Sequence, residues 1–214
     1  MHPLFASFVV GVLACLATQA SARIQDDAND LICPEIPAHA RDAAQAGDPD
    51  AQFSIGLGLT DGLCGWDEAF IRDGLHWLER AAQQDHPMAA ARLAVIYEEG
   101  VLIAESSAKA LRFYEIAASG GHVPSQNRLG LLLVSSAKTL TQQEQGLFWL
   151  GAAADQGDGT AAAMIGLFYA RGLHGVIRDD CLALDWYDAS ALLGAPVPLN
   201  DLRSEIPAAV AVQC

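Results

Sequence analysis

At 214 residues, with 52% hydrophobic and 18% charged side chains, the chain has ample apolar material for a core and too little charge for disorder. Lys and Arg number 12 against 26 Asp and Glu, a formal net charge of −14 that disfavours nucleic acid and anionic membrane surfaces as partners. Ala is heavily used and β-branched residues are sparse, which favours helix over strand.

The first element is an apolar run from Leu4 to Ala17, followed by Ala20-Ser21-Ala22 and an abrupt polar stretch from Arg23 to Asp27. Residues 1–22 therefore read as a signal peptide cut after Ala22. The run is short of the ~20 apolar residues of a membrane-spanning helix, so no membrane insertion is expected once the signal is removed. A periplasmic or secreted chain is expected. Val12-Leu13-Ala14-Cys15 offers the alternative of a lipid anchor at Cys15. Residues 23–34 form an N-terminal tail, and residues 35–46 a lone helix before the turn at Gly47-Asp48.

An internal repeat then governs the chain. Trp77, Phe113, Trp149 and Trp186 recur at intervals of 36, 36 and 37 residues. Two residues before each stands a Leu (Leu75, Leu111, Leu147, Leu184), and three before each a small residue (Gly74, Ala110, Gly146, Ala183). Small pairs follow at Ala81-Ala82, Ala117-Ala118, Ala153-Ala154 and Ser190-Ala191. A second series, Ile55-Gly56, Leu93-Ala94, Leu129-Gly130 and Ile165-Gly166, has Gly62, Gly100 and Gly172 downstream, with Ser136 as the exception. Each unit reads as a helix A ended by a glycine suited to positive φ, a loop, and a helix B whose small and large side chains share one face. The recurring aromatics are expected in the core; Trp66 is out of phase, in a loop, and is a candidate exposed contact. The units run about 48–86, 87–122, 123–158 and 159–195, with residues 196–214 as a C-terminal cap whose Leu199–Glu205 segment forms a last helix before Pro207.

This pattern resembles the Sel1-like repeats, a branch of the tetratricopeptide-like solenoids. The family's Ala-x-x-x-Leu-Gly-x-x-Tyr-x-x-Gly and Lys-Ala-x-x-Trp-x-x-x-Ala-Ala stretches are met best at Ala89–Gly100 with Lys109–Ala118, and next at Ala161–Gly172 with Ala183–Ala191. The third unit departs, with Leu133 for the Tyr and Ser136 for the Gly; the first has Leu59 for the Tyr. The expected fold is all-α: a right-handed α/α solenoid of about four helix pairs over residues 35–195, with a capping helix at each end. Four cysteines remain after signal removal, and three pairings are possible. The antiparallel neighbours at each end of such an array bring Cys33 to Cys64 and Cys181 to Cys214, whereas a cross-pairing would have to span its length.

Catalytic and metal motifs are weak. Ser106-Ser107-Ala108-Lys109 and Ser135-Ser136-Ala137-Lys138 have the Ser-x-x-Lys spacing of serine β-lactamases, but they lie out of phase with the repeat and lack partner motifs. His86 and His122 share a turn position that Asp158 fills in the next unit, so a polar residue opening helix A accounts for all three. No cofactor and no metal site is expected. The function expected is non-catalytic binding of a protein or peptide partner by an exported scaffold. By likeness to tetratricopeptide-like arrays, its groove is lined by the A helices, with Gln52, Arg92, Gln126, Asn127, Arg128 and Met164 as groove residues and Trp66 as a further contact. The alternatives are an envelope enzyme or small-ligand binder of the β-lactam type, which the resemblance to exported cysteine-rich members suggests, and a periplasmic regulator of a membrane sensor.

Overall fold

The computed structural model describes residues 33, 35–196 and 199–207. The expected signal peptide, Cys15 and Cys214 lie outside these residues. Among the described residues the secondary structure is helical throughout: α1 (Ala38–Ala46), α2 (Pro49–Thr60), α3 (Glu68–Ala82), α4 (Pro87–Glu99), α5 (Ser107–Ser119), α6 (Val123–Ser136), α7 (Leu140–Asp155), α8 (Gly159–Arg171), α9 (Asp180–Leu192) and α10 (Leu199–Ser204), with a 3-10 turn at Leu173–Gly175. None of these helices is long and apolar enough to cross a membrane.

Local signals set the boundaries. Three of the four A helices open on a capping position followed by Pro: Asp48 before Pro49, His86 before Pro87, and His122 two residues before Pro124; α8 opens on Asp158-Gly159 instead. The Asp48 and Asp158 carboxylates accept from backbone N–H groups of the first turn, and Ser106, Thr139 and Asp179 do the same for α5, α7 and α9. Gly100 and Gly172 end α4 and α8 in the left-handed region, at φ +66° and +63°.

Helices pack as the pairs α2–α3, α4–α5, α6–α7 and α8–α9, and each B helix then packs on the A helix of the next unit. The small residues allow close crossings. A Cβ on Gly130 would lie 2.6 Å from Leu150 Cγ and 2.8 Å from the Gly146 carbonyl oxygen. Gly56 and Gly74 make the same approach in the first unit. The recurring aromatics differ from expectation. Trp77, Phe113, Trp149 and Trp186 are only half-buried, packed against the flank of the core. The fully enclosed position is the next residue, Leu78, Tyr114, Leu150 and Tyr187. A side chain there points between the helices, while its neighbour, 100° round the helix, covers the edge. Burying each Leu contributes about 1.5–3 kcal/mol.

At the N-terminal end α1 packs on α2, and Cys33 is joined to Cys64 with their Cα atoms 5.5 Å apart. Cys181 is also disulfide-bonded; its expected pairing with Cys214 lies outside the described residues.

Candidate partner-binding face

Helical geometry identifies the face of the A helices that turns away from the B helices. In α4 the buried side chains centre on Leu93, Ala94, Ala90 and Tyr97. Opposite them, at spacings of four, three and four, stand Met88, Arg92, Val95 and Glu99. The same stripe is Asp50, Ser54 and Leu57 in α2 with Asp61 just past its end; Pro124, Arg128, Leu131 and Ser135 in α6; and Thr160, Met164, Leu167 and Arg171 in α8. Its third position is apolar and half-buried in every unit: Leu57, Val95, Leu131 and Leu167. These four form a spine across the array. Sequence reasoning missed them, although each directly follows the apolar-small pair and so repeats in phase with it.

Ion pairs between units flank that spine. Arg92 reaches back to Asp61, and Arg128, at the same repeat position, reaches back to Glu98, with its Nε 2.9 Å from the carboxylate. Tyr114 Oη donates to the other Glu98 oxygen at 2.7 Å. Burial pushes the Glu98 carboxyl up, but the hydrogen bonds from Arg128 and Tyr114 and the Arg128 charge outweigh it and hold the group below the usual range. In the fourth unit Met164 replaces the Arg and the ladder stops; Arg171 instead pairs with Glu205 near the C-terminal cap. The face thus carries an apolar centre flanked by the Arg92–Asp61 and Arg128–Glu98 pairs.

The remaining groove expectations divide. Arg92, Arg128 and Met164 lie on the outward stripe. Gln52 and Gln126 do not line a groove: they are 0% and 5% exposed. Gln52 Nε2 donates to the Ala44 carbonyl at 2.9 Å, and its oxygen accepts from Gln84 Nε2 at 2.9 Å. Two units later Gln126 repeats both contacts with Ala118 and Gln156, at 3.1 and 2.7 Å. These buried amides tie a helix to the one before it and satisfy their own polar atoms. Asn127 is half-buried and donates to Asp158 at 2.6 Å, which places it in a turn contact. Trp66 sits in the α2–α3 loop, away from the stripe.

The catalytic alternatives find little geometry. Ser106 Oγ caps α5 by accepting from the Lys109 backbone N–H at 3.4 Å, while Lys109 Nζ turns to Tyr97 Oη at 3.2 Å and over that ring. A solvent-open cleft of about 400 Å³ lies there, lined by Glu79, Tyr97, Lys109, Arg112 and Phe113. Ser135 and Ser136 return their hydroxyls to the Leu132 carbonyl. His86 accepts from the Ala89 N–H through Nδ1 and meets Asp50 through Nε2 at 3.0 Å, a structural cap. His122 contacts Ser125, and burial lowers its pKa. Cys33, Glu35 and Cys64 converge within 4.8 Å, but both sulfurs are committed to the disulfide and cannot act as thiolate ligands.

Comparison with known proteins agrees with this architecture. A family model described as Sel1 repeat matches residues 49–86, 87–122, 123–158 and 159–194. The chitin synthase regulator SKT5 of Saccharomyces cerevisiae is 32% identical over 165 residues, covering 72% of this chain and 23% of the regulator. The chain therefore spans about a quarter of that relative's length. Among solved structures, a Sel1 repeat protein from Oxalobacter formigenes superposes with a TM-score of 0.58 at 25% identity, covering 70% of this chain and 60% of the other. The protective antigen c5321 of uropathogenic Escherichia coli, which displays an SLR fold, gives 0.62 at 26% identity, covering 73% of this chain and 33% of the other.

Proposed function

The chain belongs to the Sel1 repeat family, whose members serve as protein-interaction scaffolds or adaptors, and from that premise we propose that it is a non-catalytic scaffold that binds an extended peptide segment of a partner protein along its A helices. The observation that carries this reading is the spine of Leu57, Val95, Leu131 and Leu167, half-buried at one repeat position in all four units. Helices stand roughly 10 Å apart. A polyproline-II segment has three residues per turn and rises ~3.1 Å per residue, so every third side chain faces one way and matches that step. The partner accordingly presents apolar side chains at i, i+3, i+6 and i+9. Its backbone amides have Ser54, Ser135 and Thr160 within the same stripe as hydrogen-bonding groups. The apolar leader and the Cys33–Cys64 disulfide support an exported, oxidising setting for this scaffold.

The test is a double variant, Val95→Ser with Leu131→Ser, compared with wild type for retention of partners from the cell envelope. Unchanged helical circular dichroism with loss of one specific partner supports the reading. Retention of all partners by a folded variant sinks it, as does efficient turnover of a β-lactam such as nitrocefin by the purified protein.

A further inference from the structure

Among the described residues, five of the nine exposed large apolar side chains lie in or beside the loops that lead from an A helix to its B helix; Met88, Phe148, Leu192 and Leu193 lie elsewhere. The four A-to-B loops leave the same edge of the array; three of them carry such a side chain, Leu63 and Trp66 between α2 and α3, Val101 between α4 and α5, and Ile177 between α8 and α9, and after the remaining loop Leu140 opens α7. Single exposed apolar residues are ordinary on a soluble surface, but one in every repeat along one edge is a pattern. Ile177 is 85%, Val101 76% and Trp66 67% exposed, and the first loop alone carries two such side chains, Leu63 and Trp66.

The Trp66 loop is built to hold its side chains still. Leu63 donates its N–H to the Gly58 carbonyl at 2.9 Å, and Gly65 donates to Gly62 at 2.9 Å. Gly62, at φ +81°, lies under the Trp66 indole, where a Cβ would come within 2.6 Å of the ring. Gly58 likewise makes room for Leu63, whose Cδ2 would be 3.1 Å from a Cβ there. Cys64, between them, is fixed to Cys33. An aromatic ring displayed on an immobilised loop loses little conformational freedom on binding, the property of an interface anchor.

Charge names the occupant. Of the acids in the segments 61–68 and 98–106, Asp61, Glu68 and Glu98 are paired with Arg92, Arg72 and Arg128, which leaves Asp67, Glu99 and Glu105 outside any ion pair among the described residues, in segments that contain no Lys or Arg. Glu99 and Glu105 are fully at the surface. We propose that this edge, anchored by Trp66 and flanked by Val101, is a second docking surface that takes a basic segment of a partner protein carrying apolar anchors among its Lys or Arg residues. It uses no side chain of the A-helix spine, and it stands or falls separately from the reading above. Anionic lipid does not fit the same acidic rim.

A fluorescently labelled amphipathic peptide of Leu and Lys, and its twin with Glu for Lys, test this against the full mature chain by anisotropy. The Lys peptide is expected to bind with an affinity that falls as salt rises, and the Glu twin to be rejected. Trp66→Ala lowers the affinity at least ~10-fold with an unchanged melting temperature, Val101→Ser lowers it several-fold, and Glu99→Gln with Glu105→Gln flattens the salt dependence. Phe148→Ser, removing an exposed aromatic on α7, leaves it alone. Equal binding by Trp66→Ala and Val101→Ser overturns the proposal, as does equal loss in Phe148→Ser or binding of both peptides alike. Sedimentation showing a dimer that Trp66→Ala dissociates assigns the edge to a second copy of the chain and overturns it too.

Discussion

Two tyrosines at one repeat position offer a controlled comparison within a single molecule. Tyr114 and Tyr187 each follow the helix B aromatic by one residue and are 4% and 0% exposed. Tyr114 Oη donates to Glu98 at 2.7 Å. The residue equivalent to Glu98 in the fourth unit is Ala170, and Tyr187 Oη has no hydrogen-bond partner among the described residues. Tyr114→Phe therefore removes a charge-assisted bond and leaves Glu98 to Arg128 alone. Hydrogen bonds to charged groups contribute ~1.5–3 kcal/mol. The Glu98 side chain is 27% exposed, so water recovers part of this, and the lower end, ~1.5 kcal/mol, is expected. For a chain of this size that is a fall of about 3–6 °C in Tm. Tyr187→Phe loses no bond and relieves a buried hydroxyl, so its effect is within ~0.5 kcal/mol or stabilising. Thermal melts by circular dichroism at neutral pH measure both. A silent Tyr114→Phe, or a Tyr187→Phe that costs as much, refutes the reasoning.

Gly130→Ala, which sets a Cβ against Leu150 and the Gly146 carbonyl, should destabilise by at least ~2 kcal/mol; Gly151→Ala, with open space around it, should stabilise by ~0.5–1 kcal/mol, both read from denaturant midpoints. Cys64→Ser opens a loop of sequence separation 31 and should cost about 3–4 kcal/mol, measured against wild type under oxidising conditions. Burial holds the His122 pKa below its ordinary 6.5. As pH falls below 6.5 the unfolded chain takes up that proton more readily than the folded one, so this stability is present above 6.5 and lost progressively beneath it. His122→Asn keeps a capping residue and should reduce the drop in Tm between pH 7.5 and 5; an unchanged drop counts against the buried neutral imidazole.

The array was legible because each unit repeats the same small-large code, and four copies outweigh the irregularities of any one. Gly74, Ala110, Gly146 and Ala183 mark the helix crossings in the sequence: a Cβ at Gly74 or Gly146 would collide with the partner helix, and Ala110 and Ala183 are buried. The binding face was less legible. Gln52 and Gln126 looked like surface amides, since polarity ordinarily means exposure; only the packed helices show the Ala44 and Ala118 carbonyls waiting for them. Arg92 and Arg128 looked free, yet their acids stand 31 and 30 residues away in the preceding unit, a separation that periodicity alone does not flag. The apolar spine was hidden for the opposite reason: Leu57, Val95, Leu131 and Leu167 each stand beside a buried apolar-small pair, and only the packed helices show them half-exposed.

Photo-crosslinking from single positions tests the central claim most directly. With a crosslinking side chain at residue 57, 95, 131 or 167 in turn, and at Phe148 as a control on the B-helix side, the adducts are digested and the attached peptides identified. The account predicts that all four spine positions capture one partner segment, at sites that advance monotonically along it by about three residues per unit, and that position 148 captures none of it. Adducts only from position 148, or spine positions that capture unrelated segments in no order, would contradict it.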